Sequence, residues 1–212
     1  MSELNPERWA QLWRGVGKGV SPAECFNELV ALYSEPQRHY HNQHHIADCL
    51  SVFDQVKSLA SDPKAVELAI WFHDAIYDTH AADNEEWSSK LAQQWLGRFG
   101  SDRPLIDAVG RLVLATKNHD GSQHSDAPLL VDVDLSILGQ PSARFWDYER
   151  QIRQEYIWVE AMVFATKRAE ILEHFLGRKR IYQTDHFFDR LEAPARVNLQ
   201  ASVLRLRSGE LA

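Results

Sequence analysis

The chain is poor in cysteine, in basic runs and in long apolar stretches, and each shortage excludes a class of protein. Of its 212 residues only Cys25 and Cys49 are cysteines. They form neither a CxxC pair nor a spacing typical of a zinc site, so a disulfide framework is excluded and free, buried thiols are expected. That usage fits a reducing compartment, and the expected location is the cytoplasm. Lysine and arginine total 23 against 30 acidic residues, a formal charge of −7, and no basic run offsets it. An electrostatic grip on duplex nucleic acid is therefore not expected. A small anionic substrate is compatible with the same charge, because a bound cation and a few arginines reverse the field inside one pocket. No segment approaches the roughly 18 apolar residues of a spanning helix, and Glu3, Glu7 and Arg8 interrupt the N-terminal stretch where a signal-peptide core would lie. No membrane partner is expected.

Runs that alternate apolar and polar residues are also scarce; apolar residues recur instead at spacings of three and four, which predicts an all-α fold. The hydrophobic content of 44% over this length supports one domain spanning residues 1–212. Ser21-Pro22-Ala23-Glu24 resembles a capping box with proline at the first helical position. It opens a helix through Phe26, Leu29, Val30 and Tyr33, closed by Pro36. Ile46, Leu50, Phe53, Val56 and Leu59 form the next apolar stripe, and Asp62 is placed to cap a following helix that carries His73 and Asp74. Further helices are expected from Asp83 to Gly100 and from Leu105 to Lys117, with a polar loop over 118–126. Pro128 to Gly139 suits a short strand or a helix, with helix preferred. Two more helices follow Pro141-Ser142 up to about Leu176, and the tail from Phe187 to Leu206 closes the chain, with Glu192-Ala193-Pro194 read as a helix start.

Against this background three segments stand out: Tyr40-His41-Asn42-Gln43-His44-His45-Ile46-Ala47-Asp48, Trp71-Phe72-His73-Asp74, and Asp132-Val133-Asp134. Together they supply two imidazoles and two carboxylates, the mixed nitrogen and oxygen set that a catalytic divalent ion takes. On a helix His41 and His45 would share a face, with His44 turned about 100° from His45. Asp74 follows the apolar run Leu68 to Phe72, where a carboxylate needs an ion or a salt bridge. Asp132 and Asp134 also stand among apolar residues; taken alone they read as a cap or a helix-terminal charge, and their order after the other two segments brings in the reading as a ligand.

The order His45, His73-Asp74, downstream Asp resembles the H…HD…D signature of the HD-domain superfamily of metal-dependent phosphohydrolases. The first segment is similar to the Tyr-His-Asn-x-x-His-x-x-Asp stretch of cyclic nucleotide phosphodiesterases, and Asp134-Leu135-Ser136 to their Asp-Leu-Ser. Arg38 to Asn42, Trp71 to Ala75 and Asp134 to Gly139, with Glu192, Ala195, Arg196, Asn198 and Leu199, resemble a bacterial group of predicted HD-superfamily phosphohydrolases over most of the chain. The resemblance implies a single helical HD-type domain with the site between core helices. It also implies His45, His73, Asp74 and Asp134 as metal ligands, and His41 as the acid that protonates the leaving oxygen. The implied activity is hydrolysis of a phosphate ester, in a nucleotide or related small metabolite, by metal-activated water. The ion is divalent, among Mn, Fe, Co, Ni, Zn and Mg.

Around this core, Asp74 can combine bridging with water activation if a second ion binds, and Lys117 and Arg38 are candidates for substrate phosphate, the arginine through bidentate contacts. His119 is the candidate for a second ion or a phosphate. Glu85, one turn into its helix, is placed to hydrogen-bond a ligating histidine. Arg153 and Arg196 read as phosphate clamps or as structural ion pairs, and Tyr40, Trp71 and Trp146 as base-stacking surfaces or as core. Two other functions stay open here: a di-iron oxygenase of HD type, and a non-catalytic nucleotide-binding regulatory module.

Overall fold

A computed structural model describes residues 4–14, 21–119, 121 and 124–209 of the chain. The fold is all-α: helix α1 spans Pro6–Leu12, α2 Pro22–Leu32, α3 Gln43–Val56, α4 Pro63–Phe72, α5 Asn84–Arg98, α6 Arg103–Asn118, α7 Ala127–Asp134, α8 Ser142–Glu155, α9 Ala161–Gly177 and α10 Asp185–Arg207. The ambiguous 128–139 stretch is helical, α7 running on into a 3-10 segment at Leu135–Gly139. Of the polar stretch 118–126, residues 120, 122 and 123 lie outside the described residues. No described helix is long and apolar enough to cross a membrane. The chain divides into two compact units, Met1–Val133 and Asp134–Ala212.

In the first unit α4 is the central rod. Every residue from Ala65 to Phe72 is buried, the pattern of a helix apolar on all sides, and α3, α5 and α6 pack around it. Its start is fixed as the sequence predicts: Asp62 accepts hydrogen bonds from the Lys64 and Ala65 amides, with Pro63 at the first position. The turn before it is held from a distance, because the Asp126 carboxylate accepts the Ser61 and Asp62 amides at 2.8 Å each. The one charge inside this rod, Glu67, is offset by Arg8 at 2.8 Å and Lys57 at 2.7 Å. Trp9 of α1 packs edge-on to Trp71 and Phe72 and donates to the Pro22 carbonyl. Ser21 caps α2, but onto the Ala23 amide rather than that of Glu24, so the reciprocal capping box is not formed. The stripe on α3 is buried through Val56, whereas Leu59 sits half in solvent.

In the second unit α10 packs on α9 and on the 3-10 segment, which α8 also touches. The close approach requires glycine at 139: a Cβ there would stand 2.6 Å from Leu191 Cβ and 2.9 Å from the Leu191 carbonyl oxygen. Pro194 does not begin a helix. It lies inside α10, where it forfeits one backbone hydrogen bond. Packing carries the helix through it, since Ala195, Asn198 and Leu199 are buried just beyond. Asn198 donates to the Leu138 and Gln140 carbonyls at 2.9 Å. The Glu192 carboxylate accepts the Ile181 and Tyr182 amides and pairs with Arg196.

A buried network ties α8, α9 and α10 together: Arg168 donates to Glu149 and Tyr148, and Ser202 donates to the other Glu149 oxygen at 2.8 Å. Glu149→Ala leaves the Arg168 guanidinium buried without its counter-charge, a loss of about 3–5 kcal/mol. Urea unfolding followed by circular dichroism checks this; a change below about 1 kcal/mol is what an exposed pair gives, and it would remove the network from the account of stability.

Candidate metal centre

The site is built at the C-terminal end of α4. His73 is its C-cap, its amide still bonded to the Ala69 carbonyl at 2.9 Å, and Asp74 follows one residue beyond. The sequence reading placed both inside the helix; the chain instead turns here, the Ala75 amide bonding the Phe72 carbonyl at 3.0 Å. Arg38 holds the turn: its guanidinium donates to the Asp74 carbonyl at 2.6 Å, the Ala75 carbonyl at 2.8 Å and the His41 carbonyl at 3.2 Å, while Nε pairs with Glu35 at 2.9 Å. From α5, the Ser88 hydroxyl takes the Ile76 amide at 3.0 Å. Tyr33, the C-cap of α2, donates to the Trp71 carbonyl at 3.1 Å, and burial pushes its hydroxyl pKa far up, so it stays neutral.

His45 reaches the same point from α3. Asn42 caps that helix, accepting the His44 amide at 2.8 Å, and the first turn then buries His45 and leaves His44 exposed. His41 precedes the helix, so it does not share a helical face with His45 as the four-residue spacing suggested. Its ring nevertheless lies 5.8 Å from that of His45, centroid to centroid, and stacks on Tyr77 at 4.2 Å.

Three donor atoms converge. His45 Nε2 and His73 Nε2 are 3.1 Å apart, and Asp74 Oδ2 is 3.3 Å from the first and 3.1 Å from the second. The protonation of His73 follows from its other nitrogen: Nδ1 lies 2.9 Å from the Ile70 carbonyl oxygen, which can only accept, so Nδ1 carries a proton and a neutral ring turns its Nε2 lone pair toward the other donors. This is the tautomer and backing bond that metal-ligating histidines adopt. Burial opposes ionisation of Asp74, but the positive charge of His73 and hydrogen bonds from His45 and His73 when their Nε2 atoms carry protons, with the charge of His41 further off, outweigh it and hold the carboxyl well below the usual carboxylate range; a divalent ion in place of those protons acts in the same direction. Donors about 2.1 Å from a shared ion stand about 3.0 Å apart at right angles and about 3.4 Å apart at tetrahedral angles. The three separations fall in that window. A proton on one imidazole satisfies one contact of the triangle; a divalent ion satisfies all three, and the residues present fit it.

His45, Cys49 and His73 of the first unit also offer ligand atoms that lie within 4.8 Å of one another, a grouping that does not include Asp74; Asp134 ends α7 and opens the second unit. Asp132 is fully buried but is not in the group. The spacing of the two cysteines to each other does not report this neighbourhood of Cys49. The signal was His45-x-x-x-Cys49, four residues apart on one helix, which places both side chains on one face.

The remaining candidates stand further out. Glu85 is half-buried; burial raises its pKa and the Asp74 charge adds to the shift. Among the described residues its carboxylate takes no hydrogen bond from a ligating imidazole, so it is an acidic neighbour of Asp74 and not a brace for a histidine. Lys117 pairs with Glu86 and donates to the Ala82 carbonyl at 2.8 Å, and the Glu86 hydrogen bond raises its pKa. His119 closes α6 in the left-handed region at φ 50° and is not grouped with His45, Cys49 and His73. The arginines read as phosphate clamps are occupied with backbone: Arg153 donates to the Tyr156 and Val159 carbonyls and Arg196 to those of Leu176 and Arg178. Trp71 and Tyr40 are buried in the core. Comparison with protein-family models, curated proteins and solved structures finds no match for this chain.

Proposed function

We propose that the protein is a metal-dependent hydrolase of phosphate esters, acting on a nucleotide or a related small phosphorylated metabolite. The observation that carries this reading is the triangle of His45 Nε2, His73 Nε2 and Asp74 Oδ2, with a half-buried histidine, His41, standing beside it and outside it. His45, His73 and Asp74 would hold the ion, with Asp134 the fourth ligand that the H…HD…D resemblance implies. When bound, a divalent ion of this kind supplies an acidified water and offsets charge on phosphoryl oxygens. His41 supplies the proton that the leaving oxygen needs, and stacking on Tyr77 fixes the plane of its ring. Asp74, ionised at neutral pH, is a ligand whose second oxygen can accept a hydrogen bond from the attacking water and orient it. Arg38 keeps the backbone of both segments in register, and Lys117, drawn toward Glu86, reaches substrate phosphate only by exchanging that partner. The two buried, free thiols suit the reducing cytoplasm.

The test is elemental analysis combined with a panel of phosphomonoesters and phosphodiesters, run with the protein as purified and after chelation. Turnover of at least one ester, lost on chelation and restored by a divalent transition metal, is the expected result. Iron in pairs with oxygen consumption points to an oxygenase instead, and nucleotide binding without turnover to a regulatory module; either outcome overturns the hydrolase.

A further inference from the structure

We infer that Cys49 is itself a ligand of the ion, which makes this a centre for a thiophilic transition metal such as zinc, cobalt or ferrous iron and not for magnesium. The inference rests on the metal reading above and narrows it. Cys49 lies one helical turn after His45 on α3 and is buried, 3% exposed. Its sulfur is 3.8 Å from each ring nitrogen of His45 and within 4.8 Å of the ligand nitrogen of His73. A sulfur about 2.3 Å and a nitrogen about 2.1 Å from one ion stand about 3.6 Å apart at the tetrahedral angle, so the observed separation is close to that of two ligands on one ion.

The other buried thiol provides the contrast. Cys25 lies on α2, where burial, reinforced by Glu28, drives its pKa far up, and no metal-type group gathers round it among the described residues. It behaves as a small apolar side chain. Cys49 instead adds a soft donor to two imidazoles and carboxylate oxygen. Coordination forms a sulfur–metal bond and releases the thiol proton to solvent, with no change of oxidation state. Oxygen-seeking ions such as magnesium and calcium gain little from a thiolate, whereas zinc, cobalt and ferrous iron gain a strong bond.

Cobalt substitution reads the bond directly. The full chain is stripped of metal, loaded with Co²⁺ and examined by absorption spectroscopy. A sulfur-to-cobalt charge-transfer band in the near ultraviolet is expected, retained in Cys25→Ser and lost in Cys49→Ser although that variant still takes up cobalt. Competition titration should show the preference for zinc over magnesium falling at least tenfold in Cys49→Ser. If Cys49→Ser does not fold, the band in the wild type and in Cys25→Ser decides the matter, since only Cys49 then remains to supply the sulfur. Cobalt bound without the band, or with a band that survives in Cys49→Ser, overturns the inference and leaves the His and Asp centre standing. A chain that takes up no cobalt, zinc or iron at all overturns the metal reading and this inference with it.

Discussion

His41→Ala is expected to slow hydrolysis of an alkyl phosphate by roughly 10²–10⁴ while leaving metal content near that of the wild type, the range for removing a general acid. The geometry separates the two effects. His41 stands before α3 and contributes no donor atom to the His45, His73, Asp74 triangle, yet its ring is 5.8 Å from that of His45 and its charge is felt by Asp74. A proton donor beside the ion matters in proportion to the basicity of the leaving oxygen. An alkoxide needs the proton; p-nitrophenolate needs little, so the same variant should lose far less on p-nitrophenyl phosphate. Equal losses on the two esters, or metal lost together with activity, would show that His41 is a ligand or a structural residue.

Arg38→Ala should cost about 3–5 kcal/mol of stability and weaken the metal centre as well. Its guanidinium is buried and spends its donors on three carbonyls and a carboxylate. Two of those carbonyls, of Asp74 and Ala75, belong to the turn that presents a ligand. A buried acceptor left without a partner costs about 1–3 kcal/mol, and more than one is orphaned at once. Arg38→Lys should recover only part, because an ammonium cannot serve the same fork. Urea unfolding and a metal-binding titration on each variant check this. A phosphate contact predicts another pattern, a raised KM with unfolding unchanged, and finding that pattern would return Arg38 to the substrate.

The elements that sequence predicted well are those whose signals are local. Asp62 and Pro63 mark the start of α4, the residues that follow are apolar on every face, and the buried rod that results needs no distant information to be seen. Periodicity likewise exposed α2, α3, α5 and α6. Pro194 failed as a boundary because the packing of α10 on α9 and on the 3-10 segment, a tertiary gain, outweighs the loss of one backbone bond. The site shows the same division. His45, His73 and Asp74 were legible because their residue types and order carry the chemistry, and the apolar run before Asp74 made that carboxylate conspicuous. Arg38 was not legible as a positioning residue: the carbonyls it holds lie up to 37 positions away in the chain, and nothing in the sequence reports which donors are already used. Cys49 is not legible from its spacing to Cys25; its spacing to His45 carries the signal.

The most direct measurement is the metal content of the wild type beside that of the double variant His73→Ala, Asp74→Ala, with the surface substitution His174→Ala as control, each purified under the same conditions and analysed by mass spectrometry of the elements. Loss of a partner that merely supports a ligand lowers affinity about 10–100-fold, and the double variant deletes two of the three converging donors themselves. A divalent transition metal is expected in the wild type and in His174→Ala, and next to none in the double variant, with circular dichroism showing all three still helical. Equal metal in the wild type and the double variant would contradict that expectation.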